Sequence, residues 1–229
     1  MPSTKSVAAI VLDMDGLMLD TEAIYKPAWQ SAAAEFGYDL DDAFYLTLVG
    51  RDTADGEGAL LQRFGGDFPV VEFRARWSQL WKTHVEMSGI PVKPGLAELL
   101  SFLDRCHLLA AVATSSDQEY ASLSLRSAGL EERFNHVITG DQVLQGKPAP
   151  DIYLEAARRL GVTASRCVAV EDSDAGVVAA SAAGMIALLI PDLKPPSPEA
   201  SSAAYCVLDS LYDAKDLISS FLESGSEGD

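Results

Sequence analysis

Cysteine, basic residues and long apolar runs are all scarce in this sequence, and each scarcity excludes a class of protein. The three cysteines, Cys106, Cys167 and Cys206, lie far apart without Cys-x-x-Cys spacing, so neither a disulfide framework nor a zinc site is suggested. No stretch approaches the roughly eighteen unbroken apolar residues of a membrane-spanning helix. The opening MPSTKS lacks the charged-then-apolar layout of a secretory signal. We therefore expect a cytoplasmic protein with no membrane partner.

Positive charge is also in short supply. The chain carries 17 basic and 34 acidic residues, a net charge of −17, which argues against a general affinity for nucleic acid or anionic membrane. The same charge favours a monomer that stays in solution. A phosphorylated ligand would need a bound cation and a few placed Lys or Arg side chains to reverse the local field.

What the chain does have is an alternation of apolar runs and helical segments. Its 229 residues, 48% of them apolar, can form one large α/β domain or a core with an insert. Short apolar runs without polar alternation are typical of parallel strands covered on both faces. These runs are residues 7–12, 108–114, 136–139, 167–172 and 186–190. The later four each follow a segment with helical spacing, which predicts a doubly wound parallel sheet.

The pattern changes between residues 22 and 92, where apolar residues fall at helical spacing and no buried-strand run occurs. This predicts an inserted α-helical domain at 22–92, with residues 1–21 and 93–229 forming the core. Trp77 and Trp81, four residues apart, are expected to pack inside the insert rather than to form a substrate platform. The segment KPPSPEASS at 194–202 is expected to be a surface loop.

Chemistry-bearing side chains follow the predicted strands or lie in the loops beyond them. They are Asp13, Asp15, Thr114, Ser115, Lys147, Glu171 and Asp172. In an open parallel sheet the carboxyl ends of the strands face one crevice, so these groups should converge there. Carboxylates this close repel one another unless a metal ion or a basic side chain sits among them, or all of them point into water.

Such a set of groups could carry out phosphoryl transfer. Asp13 could attack phosphorus to give an aspartyl-phosphate. Asp15 could protonate the leaving oxygen and then take a proton from the attacking water. Thr114, the backbone N–H of Ser115 and Lys147 would hold the transferring group.

A magnesium ion fits the same crevice, because Mg²⁺ prefers carboxylate oxygens and keeps positions open for phosphate oxygens. The candidate ligands are Asp13, Asp15, Glu171 and Asp172, with Glu171 acting as a ligand or as an outer partner of the site. Each motif alone has a plainer explanation: D-x-D-G can be a turn, Glu171 and Asp172 can precede a helix cap, and Lys147 can be a solvated loop residue. Only their combination at several strand ends indicates chemistry.

The sequence resembles the haloacid dehalogenase superfamily, in the subfamily IA branch that includes β-phosphoglucomutase and small phosphatases. The resemblance runs through nearly the whole chain and rests on DMDGLMLDTE, VATSS, GKPAPDIYLEAARRLG and VEDSDAGVVAASAAGM, in family order. It implies a Rossmann-like core, an α-helical cap inserted after the first motif, and Mg²⁺ as cofactor. It also implies the nucleophile and acid/base roles given above.

Within that family the residues favour a phosphatase. Dehalogenases lack the second aspartate of the D-x-D pair, which is present here as Asp15. β-Phosphoglucomutase has a cap histidine where this chain has Tyr25, and a cap arginine where this chain has Thr53. A mutase is therefore the alternative, and a non-catalytic phosphate-binding module is the second alternative.

Substrate recognition is assigned to two regions. Candidate substrate-binding or phosphate-binding residues are Gly16, Ser115, Ser116, Gly50, Arg51 and Tyr25. We hypothesise that the cap segment LVGRDT, which contains Arg51, contacts the leaving group, although Arg51 could instead be a solvated charge. The expected partner is a small phosphorylated metabolite, most simply a sugar phosphate, with nucleotide-type or phosphoglycolate-like substrates as other possibilities.

Overall fold

The computed structural model describes residues 7–49 and 53–225. The chain forms two compact units. The core unit comprises residues up to Leu19 together with those from Pro91 onward, and the helical unit spans Asp20–Ile90. In the described ranges, no helix combines the length and the apolar character needed to cross a bilayer.

The core unit is built on a six-stranded parallel sheet, which confirms the predicted α/β fold. The strands are β1 (Ala9–Leu12), β2 (Leu109–Ala113), β3 (Val137–Ile138), β4 (Cys167–Glu171), β5 (Ile186–Leu189) and β6 (Cys206–Val207). Their order across the sheet is β3-β2-β1-β4-β5-β6, that of a doubly wound dinucleotide-type sheet. Each of the five predicted runs contains one strand, while β6 was not predicted.

The helical unit contains four helices in its described part. They are α1 (Glu22–Glu35), α2 (Asp42–Leu48), α3 (Thr53–Phe64) and α4 (Val70–Ser88). Hydrophobic side chains, several of them aromatic, fill its interior: Trp29 packs edge-on against Phe73 with ring centroids 5.4 Å apart, and Trp77 lies 5.5 Å from Trp29. Trp81 is buried, at 4% exposure.

The described part of the core unit contains six further α-helices. They are α5 (Leu96–Arg105), α6 (Gln118–Ser127), α7 (Asp151–Leu160), α8 (Asp174–Ala182), α9 (Pro198–Ala203) and α10 (Leu211–Gly225). The prediction of a loop at 194–202 was wrong, because α9 begins inside it. The Ser197 side chain accepts from the backbone N–H of Ala200 at 3.1 Å, Pro198 takes the first helical position, and Ala200 is fully buried.

The register of the central strands aligns their carboxyl ends. Leu12 of β1 pairs with Val112 of β2 on one side and with Val170 of β4 on the other. All residues of β1 and β4 are buried, so polar side chains can occur only where the strands end. We call the carboxyl ends of β1, β2 and β4, with the loops that follow them, the carboxyl edge.

Candidate active site

Asp13 lies directly after β1, at the centre of the carboxyl edge. Its residue is 5% exposed, and its backbone N–H donates to the carbonyl oxygen of Val170 at 3.0 Å. The chain then turns at Gly16, which has φ +82° and whose N–H donates to the carbonyl oxygen of Leu19 at 2.9 Å. A Cβ on Gly16 would lie 2.3 Å from Oδ2 of Asp172. Glycine is therefore required for the turn and for the close approach of that carboxylate.

Lys147 places its ammonium among the carboxylates of this edge. The Nζ atom donates to the Asp13 carboxylate, to Oε1 of Glu171 at 2.5 Å and to the carbonyl oxygen of Ala113 at 3.0 Å. The side chain is 4% exposed. Because an ammonium has three N–H bonds, these contacts satisfy it and fix its position.

Glu171 ends β4 and is surrounded by donors. Its Oε1 accepts from the Tyr153 hydroxyl and from Lys147. Its Oε2 accepts from the backbone N–H of Asp172 at 3.1 Å, and from the N–H and hydroxyl of Ser173 at 3.3 and 3.0 Å. A Cβ on Gly176 would lie 1.9 Å from Oε1. The first turn of α8 is therefore shaped around this carboxylate.

Negative charge exceeds positive charge in this cluster. Burial raises the pKa of Asp13 to about 8, with Lys147 opposing the shift and Glu171 and Asp15 adding to it. Burial also raises the pKa of Asp172 well above its usual value, and Asp13 and Glu171 add to the shift. Burial lowers the pKa of Lys147, but Asp13 and Glu171 raise it by more, so the ammonium stays charged. One ammonium would not balance three ionised carboxylates, so without a further positive charge the protonated forms of Asp13 and Asp172 are favoured.

The geometry allows a cation to supply the missing charge. Asp13, Glu171 and Asp172 each offer a carboxylate oxygen, and these atoms lie within 4.8 Å of one another. Hard oxygen donors at this spacing fit Mg²⁺. Because these carboxyl groups are buried, they do not all point into water. The alternatives that remain from the sequence are a metal ion or a basic side chain among them.

Asp15 is held by hydroxyl groups from the segment after β2. Its Oδ2 accepts from Thr114 Oγ1 at 3.3 Å and from Ser116 Oγ at 2.9 Å. Its Oδ1 accepts from the Tyr120 hydroxyl at 3.0 Å. The side chains of Asp13 and Asp15, two residues apart, thus have different surroundings: an ammonium for Asp13 and hydroxyls for Asp15.

The Ser115–Ser116 segment is fixed from the side of β3. The backbone N–H of Gly140 donates to the carbonyl oxygen of Ser116 at 2.9 Å. A Cβ on Gly140 would lie 2.3 Å from the carbonyl oxygen of Ser115, so only glycine permits this approach. The N–H of Ser116 donates to Thr114 Oγ1 at 3.1 Å.

The remaining predicted residues lie in the helical unit or outside the description. Tyr25 belongs to α1, where its ring lies 6.0 Å from that of Trp81 and 5.7 Å from that of Trp77. Gly50 and Arg51 fall outside the described residues. The hypothesis about Arg51 therefore stays a prediction.

Sequence reasoning missed side chains that lie on helices or in distant loops. Tyr120 and Tyr153 touch the carboxylates of Asp15 and Glu171, yet neither belongs to a strand end. Asp192, after β5, pairs with Lys93 at 2.5 Å. The other oxygen of Asp192, Oδ2, is buried and finds no donor among the described residues.

Comparison with known proteins agrees with this geometry. The family model of haloacid dehalogenase-like hydrolases matches residues 10–190, a range that begins inside β1 and extends past the end of β5. It therefore spans every carboxylate of the carboxyl edge.

Individual relatives and solved structures match over most of the chain. A phosphorylated carbohydrates phosphatase from Thermotoga maritima is 33% identical over 177 residues, covering 77% of this chain and 82% of that protein. The crystal structure of CbbY from Rhodobacter sphaeroides in complex with phosphate has a TM-score of 0.74 and 27% identity, covering 90% and 95% of the two chains. A β-phosphoglucomutase from Clostridium difficile shares the fold, with a TM-score of 0.76, 22% identity and coverage of 95% and 98%. The chain belongs to the haloacid dehalogenase-like hydrolase family.

Proposed function

We propose that the protein is a Mg²⁺-dependent phosphatase that hydrolyses a small phosphorylated metabolite, of the sugar phosphate type, through an aspartyl-phosphate on Asp13. The observation that carries the proposal is the meeting of Asp13, Lys147 and Asp172 at the carboxyl edge, with Asp15 two residues from Asp13 and held by hydroxyls. The relative from Thermotoga maritima that acts on phosphorylated carbohydrates supports the substrate class.

In the first step, a carboxylate oxygen of Asp13 attacks phosphorus. The bond from phosphorus to the leaving oxygen breaks, and its electron pair stays on that oxygen, which takes a proton from the carboxylic acid form of Asp15. Lys147 keeps its charge throughout, and its ammonium, which donates to Oδ1 of Asp13, would stabilise negative charge on the transferring group.

In the second step, water attacks the phosphorus of the aspartyl-phosphate. The carboxylate of Asp15 takes a proton from that water, and the bond between phosphorus and the Asp13 oxygen breaks. Asp13 is regenerated as a carboxylate and Asp15 as an acid, so one water is consumed for each phosphate released.

Asp13 and Asp172 are the side chains proposed to hold Mg²⁺. Glu171 is proposed as an outer partner, because both of its oxygens already accept hydrogen bonds from the protein. When bound, Mg²⁺ would supply positive charge that offsets the carboxylates and the phosphoryl oxygens. Burial raises the pKa values of Asp13 and Asp172, and a cation beside them would favour their ionised forms.

Recognition of the leaving group is proposed for the helical unit, acting as a cap, through Tyr25 and the segment that contains Arg51. This part of the proposal rests on sequence. An Arg51→Ala protein with unchanged KM and kcat on the true substrate would contradict it.

The proposal is tested by phosphate release from a panel of sugar phosphates, nucleotides and phosphoglycolate, with Mg²⁺ or with EDTA. Wild type should release phosphate only with Mg²⁺, and Asp13→Asn should be inactive on every substrate. Asp216→Asn, an exposed aspartate on α10, is the matched control and should behave as wild type. Formation of glucose 6-phosphate from β-glucose 1-phosphate without phosphate release would instead identify a mutase. Silence in both assays would favour the binding module.

A further inference from the structure

Tyr120 donates a hydrogen bond to Asp15, the residue proposed as the acid and base of the reaction. None of the sequence motifs named above includes Tyr120. The hydroxyl donates to Oδ1 of Asp15 at 3.0 Å. Thr114 and Ser116 donate to the opposite oxygen, Oδ2. The carboxyl group of Asp15 is therefore held at both oxygens, which fixes the plane of the group as well as its position.

Tyr120 is itself held rigidly. It lies in the first turn of α6, where its backbone N–H donates to the side chain of Asp117, the N-cap residue, at 2.8 Å. Gln118, the first residue of α6, accepts from the side-chain N–H of Gln142 at 2.7 Å. Because the helix start is capped and tied to the turn after β3, the phenol is presented from a preformed position.

Packing alone does not fix the carboxyl group of Asp15. The residue is followed by Gly16 in a tight turn with positive φ, and its side chain is only half-buried. A carboxyl group that transfers a proton must direct one oxygen at the leaving oxygen, and a small misplacement lowers the rate steeply. The hydroxyls of Thr114, Ser116 and Tyr120 limit the rotations open to the group.

We infer that Tyr120 is a positioning residue that orients the carboxyl group of Asp15 for proton transfer to the leaving oxygen. The inference rests on the proposed function. It gives Tyr120 a role different from that of the residues that bind phosphate. Loss of its hydroxyl should lower kcat/KM for substrates whose leaving group needs a proton, and should leave kcat/KM unchanged for substrates whose leaving group does not.

The test compares two substrates in wild type and Tyr120→Phe with Mg²⁺ present. An alkyl phosphate such as glycerol phosphate expels an alkoxide and requires a proton, whereas p-nitrophenyl phosphate expels a weakly basic phenolate that leaves without one. The ratio kcat/KM reports events up to phosphorylation of Asp13, so it isolates this step from the hydrolysis of the aspartyl-phosphate that both substrates share.

We expect Tyr120→Phe to lower kcat/KM for the alkyl phosphate about 10-fold or more and to leave kcat/KM for p-nitrophenyl phosphate close to wild type. Tyr212→Phe is the matched control, because it removes a tyrosine hydroxyl that lies near an exposed carboxylate, that of Glu98, at 3.4 Å. It should change neither ratio. Thermal unfolding of all three proteins checks that the fold is retained.

Equal losses on both substrates would overturn the inference, since they would indicate general damage to the site, and so would unchanged kinetics on both. A gain on the alkyl phosphate would overturn it as well, because it would show that Tyr120 holds Asp15 away from the leaving oxygen. A wild-type protein inactive on both substrates and on the whole panel would overturn the proposed function, and this inference with it.

Discussion

The carboxyl edge and the helical unit place their charged groups in opposite ways. At the carboxyl edge the ammonium of Lys147 and the carboxylates of Asp13 and Glu171 are almost fully buried. In the described part of the helical unit the buried side chains are hydrophobic apart from Thr21, and ion pairs such as that of Arg76 with Glu35 are partly exposed, at 33% and 46%. Burying a charged group lowers the stability of the fold unless the charge is paired. The concentration of buried charge at the carboxyl edge therefore distinguishes this edge as the candidate active site.

The largest difference between the two regions is expected from two matched substitutions, one at the carboxyl edge and one in the helical unit. Lys147→Met should lower kcat by about 1,000-fold and the free energy of unfolding by about 3–5 kcal/mol, because Asp13 and Glu171 would stay buried without their partner. Arg76→Met should leave the unfolding midpoint nearly unchanged, since water solvates Glu35 once its partner is gone. Denaturant unfolding and steady-state kinetics measure both. Similar losses of stability in the two variants would show that buried and exposed ion pairs contribute equally to the fold.

A second contrast uses one substitution with opposite expected signs. Gly176→Ala in α8 should destabilise the protein by about 1–3 kcal/mol, because the new methyl group would overlap Glu171. Gly58→Ala in α3 should stabilise it by about 0.5–1 kcal/mol, because nothing lies within 4 Å of the new methyl group and alanine favours the helix. Thermal unfolding decides between them, and a stabilised Gly176→Ala protein would mean that Glu171 is free to move.

The smallest effect expected is a pH-dependent response to Mg²⁺. In the metal-free fold the pKa of Asp13 is raised from 3.8 to about 8. The folded protein therefore holds a proton that the unfolded chain has lost, and stability falls as pH rises through that window. If Mg²⁺ binds as proposed, it would bind the ionised carboxylate and offset the loss, so the rise in Tm on adding Mg²⁺ should grow between about pH 5 and about pH 9.

The exposed aspartates of the helical unit contribute nothing to that response. Asp42, at the start of α2, has a pKa lowered by its hydrogen bond with Lys26. Replacing it with asparagine should leave the Mg²⁺ response unchanged, whereas Asp13→Asn should remove most of its pH dependence. A response that is constant across the range, or that shrinks as pH rises, would contradict the account of Asp13 as a buried metal ligand.

The sequence predicted the sheet because buried parallel strands leave a clear record. The run at 167–172 has no polar alternation, and β4 occupies all but its last residue. The prediction from sequence failed at residues 194–202, where Pro and Ser residues suggested a loop. Two of these residues instead begin α9. Ser197 and Pro198 are also the residues that favour a helix start, so the signal was present and was read as a turn.

At the site, the sequence predicted the residues that follow strands and missed those on helices. Asp13, Glu171 and Asp172 follow directly from strand ends, since a parallel sheet brings those ends together. Tyr120 and Tyr153 lie on α6 and α7, and whether a helical side chain faces the site depends on how the helix is rotated against the sheet. Packing against the sheet sets that rotation. The spacing of apolar residues in the sequence does not predict the packing accurately enough to place a single side chain.

In the proposed mechanism, Asp13 carries the phosphoryl group. The most direct measurement is rapid acid quenching of the enzyme during turnover of a substrate identified by the panel, followed by mass spectrometry of its peptides. We expect one added phosphoryl group on the peptide that contains Asp13. The group should be present with Mg²⁺ and absent in Asp13→Asn. Full turnover with no phosphoryl group on that peptide, or the group on another residue, would contradict it.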